Sequence, residues 1–151
     1  MKKEIPNFYP GQECFFCGQK NRAGLGLKFF IDEETGEVST EYLASPPFAG
    51  LGNILHGGIQ AGLFDEIMGW TAHYFTRQMG VTSEINAQFL KPVYLGKRLS
   101  VFCRVAARLD RTVRLEARIE SSEGEVLARA SGAYRLLPKK KFESLVKGPE
   151  L

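Results

Sequence analysis

The sequence predicts an α+β fold in which one long helix packs against a largely antiparallel sheet, and three observations carry that prediction. Residues 57–75 form a proline-free run that is apolar almost all round, with Ile59, Leu63, Phe64, Ile67, Met68, Trp70 and Phe75. At about 19 residues it is too long for a buried strand and suits a buried helix roughly 28 Å long. Residues 112–120 alternate strictly, Val113, Leu115, Ala117 and Ile119 against Arg114, Glu116, Arg118 and Glu120, as a strand does with one face in the core and one in water. The other strand-like segments are joined mainly by short connections, which antiparallel pairing allows.

Taken in order, residues 1–23 are rich in Pro, Gly, Asn and aromatics and read as an irregular arm. Residues 25–31 read as a strand, residues 32–36 as a turn, and Glu37–Leu43 as the returning strand of a hairpin. Residues 45–55, punctuated by Pro46, Pro47, Gly50 and Gly52, form a loop. The helix follows, with Gly62 and Gly69 leaving room for another backbone. Strands are then expected at 83–90, 99–107, 112–120 and Val126–Leu136, with a turn around Gly124.

At 151 residues the chain suits a single domain, 1–151. With 44% hydrophobic and 25% charged residues it is neither a disordered chain nor a fibre. No apolar stretch has the roughly 18 residues of a membrane span, and the basic start MKKEIPNFYPG has no apolar core behind it. The expected location is therefore cytoplasmic, with no membrane partner. Twenty basic residues against 17 acidic ones give a formal +3, too mild and too evenly spread to indicate nucleic acid. The run Lys139-Lys140-Lys141 reads as a solvated tail. Three cysteines are too few, and odd in number, for a disulfide scaffold.

His56-Gly57-Gly58 opens the helix. Unpartnered N–H groups and the positive end of the helix dipole lie there, and two glycines let a carbonyl approach, as an oxyanion hole requires. The same tripeptide also suits a tight turn into a helix with His56 as a packed or capping side chain. Asp65 and Glu66 interrupt the apolar helix, where carboxylates are rarely buried without purpose. They point about 100° apart and cannot form a dyad, so one can reach solvent or a basic partner, the simpler reading for Glu66. Gly58 and Asp65 are separated by roughly 10 Å of helix, whereas a carboxylate must come within about 3 Å of the atoms it acts on, directly or through one water. A two-fold partner with an antiparallel helix would bring its Asp65 to this Gly58, so a catalytic site is expected at a homodimer interface.

Residues 56–70, HGGIQAGLFDEIMGW, together with Cys14–Gly18, Gly24-Leu25-Gly26-Leu27 and FLKPVYLG at 89–96, resemble the hotdog-fold acyl-CoA thioesterases, in the branch that includes PaaI-like enzymes. The resemblance implies an antiparallel sheet of five or six strands wrapped around one long central helix, paired into dimers and often tetramers. It implies hydrolysis of an acyl-CoA to free acid and CoA without a metal or organic cofactor. Asp65 would be the catalytic carboxylate, as general base or nucleophile. Gly58 N–H, with Gly57, would polarise the thioester carbonyl, and His56 would orient the loop. Thr82 matches a position where relatives place a hydroxyl near the catalytic water. Asn53 lies in a loop where some carry a substrate-facing amide, at a different offset from His56.

For the phosphates of CoA, Lys91 is a candidate at a strand end, as are Lys97, Arg98 and Arg111, although each is also explained as surface charge. Phe48, Trp70, Tyr74 and Phe75 suit either an acyl pocket or plain core. Cys14-x-x-Cys17 lacks the second pair or nearby His that a four-ligand zinc site needs, so packing is the favoured reading, with a redox pair or a metal shared across a dimer as alternatives. Cys103 reads as a small buried residue. The rival to an enzyme is a hotdog protein that binds acyl-CoA as sensor or carrier without turnover; a carboxylate within the apolar helix favours the enzyme.

Overall fold

The computed structural model describes residues 1–9 and 12–149. Among these, seven strands form one antiparallel sheet: β1 (Lys2–Glu4), β2 (Phe30–Asp32), β3 (Glu37–Leu43), β4 (Gly80–Phe89), β5 (Arg98–Leu109), β6 (Thr112–Ser121) and β7 (Val126–Leu136). Their order across the sheet is β1-β2-β3-β5-β6-β7-β4. Helix α1 (Gly57–Thr76) packs against one face, and a short helix α2 (Lys139–Lys147) follows β7. Because α1 connects β3 to β4, it carries the chain across the sheet, leaving β4 as an edge strand paired only with β7 among the described residues.

The core forms where the apolar side of α1 meets the inward residues of the sheet. Leu63, Phe64 and Ile67 are fully buried, as are Val101, Val113 and Ile119. Burying each such side chain contributes about 1.5–3 kcal/mol. The alternation in β6 survives intact, with Val113, Leu115, Ala117 and Ile119 buried and Arg114 and Glu116 exposed. At its far end α1 closes on Arg77 in the left-handed region (φ 58°), whose N–H reaches His73 O at 2.7 Å.

Close approach of helix to sheet depends on Gly132 in β7. A Cβ there would stand 2.6 Å from Met68 Sδ of α1 and 2.9 Å from Glu84 O of β4. Gly132→Ala is therefore expected to destabilise the fold by about 1–3 kcal/mol through overpacking, read as a lower urea midpoint at unchanged slope.

Three expectations need correction. The strand expected at 25–31 shrinks to Phe30–Asp32, because Leu25 and Leu27 N–H donate to Phe15 O and Phe16 O of the arm (both 2.9 Å) and not to a sheet neighbour. The arm is irregular only in part: Lys2–Glu4 pairs with β2, which adds a seventh strand to the five or six expected. Beyond it, Phe8 packs edge-on against Trp70 (4.7 Å) and stacks on His73 (3.6 Å). The lysine run is not a structureless tail but the exposed first turn of α2, anchored by the buried Phe142. No helix among the described residues is long and apolar enough to cross a membrane.

Candidate active site

The loop before α1 folds back on itself, His56 N–H donating to Phe48 O at 2.9 Å, and delivers His56 to the N-cap of the helix. His56 O accepts from Ile59 and Gln60 N–H, and its Nδ1 accepts from Gly58 N–H at 2.8 Å. The ring therefore holds its proton on Nε2 when neutral. Of the two expected carbonyl donors, Gly58 N–H is thus satisfied by the cap, while Gly57 N–H has no partner among the described residues. Replacing His56 with Ala is expected to cost about 1 kcal/mol of stability, the usual worth of a side-chain N-cap, measured by thermal unfolding.

Two turns further on, Asp65 is exposed, on the same stripe of α1 as Gly58, Ala61 and Gly62. It opens onto a cleft of about 270 Å³ whose walls include Thr82 of β4, Glu66, Gly69, Tyr9 and Tyr134. Asp65 and Thr82 are thus brought together. Thr82 lies beside the register shift that sets Ser83 out of the β4–β7 ladder. At the opposite end of β4, Phe89 comes within 3.8 Å of where a Gly57 Cβ would be. Strand β4 consequently runs alongside α1 in the reverse direction, its start near Asp65 and its end near the helix N-terminus.

Asn53 and Lys91 do not line this cleft. Asn53 is exposed in the loop, its carbonyl accepting from Leu95 N–H at 3.0 Å, and exposed Lys91 pairs with Glu125 at 3.1 Å. Trp70 belongs to the core, stacked on Phe29 at 4.5 Å.

The expected roles of the adjacent carboxylates are exchanged in one respect: it is Asp65 that reaches solvent, while Glu66 turns into the protein and is 8% exposed. Glu66 Oε1 accepts from Trp70 Nε1 at 3.2 Å and from Cys14 Sγ at 3.5 Å. Burial raises its pKa above the usual carboxylate range, and the Cys17, Trp70 and Cys14 donors partly offset that rise. Tyr134 was not singled out from the sequence. Its hydroxyl donates to Gly80 O (2.8 Å) and accepts from Gly80 N–H (3.1 Å), pinning the start of β4, and burial pushes its phenol up to about 12. Tyr9, on the arm, closes another wall of the cleft, where burial likewise raises its phenol.

A larger concavity of about 740 Å³ lies over the outward face of the sheet and includes none of the expected site residues. Two of its three arginines are engaged, Arg104 with Glu116 at 2.8 Å and Arg118 with Glu37 and Glu120, while Arg129 is exposed without an ion pair among the described residues, so it is a solvated and largely ion-paired sheet face.

Solved structures share this fold at low identity. A thioesterase superfamily protein aligns at TM-score 0.74 and 18% identity over 82% of this chain, which spans 60% of that one. The Escherichia coli PaaI protein of the phenylacetic acid degradation operon aligns at 0.68 and 17%, covering 76% of this chain and 81% of its own. A Streptococcus mutans protein bound to acetyl-CoA aligns at 0.64 and 21%, covering 69% and 83%. None of the curated proteins compared with the chain matches it. The model of the thioesterase superfamily matches residues 52–128, just over half of the chain and the whole of α1 and β4, so the chain belongs to that superfamily and its helix-wrapping sheet is the hotdog fold.

Proposed function

We propose that the protein is an acyl-CoA thioesterase that hydrolyses a thioester to free acid and CoA at two equivalent sites shared across a homodimer. The observation that carries this reading is that Gly58 and Asp65 are both exposed on one side of α1, with half-buried Ala61 and Gly62 between them and the open strand β4 running beside the helix in reverse. Seven residues of helix separate the two by about 10 Å, too far to act on one carbonyl within a chain. Antiparallel pairing of β4 with its own copy exchanges the strand's ends about a two-fold axis. It sets Gly57 of the partner subunit near this chain's Thr82 and Asp65. Pairing of such dimers into tetramers leaves that site unchanged.

Each residue then has a role set by its chemistry. Gly57 N–H, joined by Gly58 N–H, polarises the thioester carbonyl at the positive end of α1. Asp65 either takes a proton from water as it attacks or attacks the carbonyl carbon itself, and the CoA thiolate leaves. Thr82 orients the attacking water. Asn53 and Lys91 lie outside the cleft; Asn53 would face the substrate from its loop, and Lys91 would meet a CoA phosphate by exchanging Glu125 for it. The acetyl-CoA in the Streptococcus mutans relative and the coenzyme A in a Streptococcus pneumoniae thioesterase structure support this ligand class.

The test is free-thiol release from short, long and aromatic acyl-CoAs by wild type and Asp65→Ala. Turnover by wild type that Asp65→Ala loses supports the proposal. Equal, near-zero rates in both across the panel overturn it, and tight acyl-CoA binding without turnover then identifies a sensor or carrier.

A further inference from the structure

Cys14, Cys17 and Glu66 come from two segments that the sequence gives no reason to connect, the arm and the middle of α1. Their ligand atoms, two Sγ and a carboxylate oxygen, all lie within 4.8 Å of one another. Cys14 Sγ stands 3.5 Å from Glu66 Oε1. A tetrahedral zinc with a sulfur at about 2.3 Å and an oxygen at about 2.0 Å separates those two atoms by about 3.5 Å.

The turn that carries the thiols is built to aim them together. Gly18 N–H donates back to Cys14 O at 2.8 Å, and a Cβ on Gly18 would stand 2.5 Å from Cys14 N and 2.6 Å from Cys14 O. Only glycine fits that position, and the chain winds tightly enough there for both cysteines to face α1. Opposite them, the Trp70 indole holds the Glu66 carboxylate through Nε1–H at 3.2 Å, the outer-shell hydrogen bond that orients a ligating carboxylate. As a plain hydrogen-bonded cluster the arrangement is poorly matched, because thiols are weak donors to a carboxylate so far from water.

We propose that Cys14, Cys17 and Glu66 bind a zinc ion that clamps the N-terminal arm to α1. Two thiolates and one carboxylate suit a borderline-soft divalent ion and disfavour magnesium or calcium. Three protein ligands leave the fourth position to water. Glu66 also lines the cleft onto which Asp65 opens, but the test reads bound metal and does not depend on turnover.

The full chain, loaded with zinc and dialysed, is assayed for bound metal by elemental mass spectrometry, then with cobalt(II) in place of zinc. The expected result is one zinc per chain and, with cobalt, a near-ultraviolet thiolate charge-transfer band beside strong visible bands of a tetrahedral ion. Cys103→Ser should bind as wild type does, since Cys103 is buried in β5 away from the cluster. Cys14→Ser and Cys17→Ser should lose both signals while circular dichroism shows them folded. Glu66→Gln keeps the shape and an acceptor for Trp70, yet should weaken zinc binding by more than the roughly 10–100-fold that losing an outer-shell partner costs. Wild type with well under one zinc per chain and no charge-transfer band overturns the proposal. So does a Glu66→Gln variant that binds zinc as tightly as wild type.

Discussion

Asp65→Asn is expected to lower kcat for acyl-CoA hydrolysis by about 10²–10⁴-fold, the contribution of a positioned proton-transfer group, with little change in KM. The split matters because Asp65 is exposed on α1. Exposed substitutions of this kind usually shift stability by no more than about 0.5 kcal/mol, so lost activity cannot be blamed on unfolding. A variant that loses kcat while keeping its melting temperature and its affinity for acyl-CoA identifies Asp65 as a group acting on the reacting atoms. Unchanged kcat removes it from the chemistry. A single turnover in H₂¹⁸O then separates its two possible actions. If Asp65 activates water, the acid released in the first turnover carries one labelled oxygen. If it attacks the thioester and water opens the resulting anhydride at the Asp65 carbonyl, the first acid carries oxygen from Asp65 itself.

The helix and the long strands were legible because each has a period that burial enforces. β3 and β7 run as expected, and β6 presents the alternation read from residues 112–120. Where no period exists, the sequence says little. Lys2–Glu4 is three exposed residues at a sheet edge, and nothing in their side chains announces the pairing with β2. In α2, three lysines look like solvated charge although Phe142, Leu145 and Val146 follow at helical spacing, a stripe only one turn long of which the fold buries Phe142 alone. The alternating stretch at 25–29 reads as strand yet pairs with the arm, since its hydrogen-bond partners lie about ten residues back in an irregular segment.

The site was legible in part for the same reason. Small residues before an apolar helix marked its N-terminus, and the carboxylates at 65 and 66 stood out from their neighbours. A helix apolar on nearly every side has no phase, however, so which carboxylate faces solvent could not be read. In the fold Cys14 of the arm meets Glu66, Tyr9 lines the cleft beside both carboxylates, and Asp65 is left exposed. The His56 ring on Gly58 N–H was visible only as one of two readings of His-Gly-Gly, and the structure makes the capping one real without removing the free donor at Gly57.

Ala87→Pro is expected to convert the proposed dimer to monomers and to depress activity as far as loss of Asp65 does. The choice of position follows from the ladder. Leu90 N–H donates to Leu127 O at 2.9 Å, and the β4–β7 register continues evenly from Glu84 to Phe89. Backbone groups of successive residues in a strand face opposite neighbours. Gln88 and Asn86 therefore direct their N–H groups to β7, and Ala87 and Phe89 direct theirs to the open edge. Proline at 87 removes an open-edge donor and spares the bonds to β7, a placement that edge strands tolerate. It also holds Asn86 extended, as β4 already does. Light scattering after gel filtration gives the oligomeric state, and thiol release at matched chain concentration gives the activity. If Asp65 and its carbonyl donors must come from different subunits, both readouts fall together. A monomer with wild-type kcat would show that one chain closes the 10 Å gap by itself, which a straight α1 cannot do. A variant that stays dimeric and active would place the shared interface on a surface other than β4.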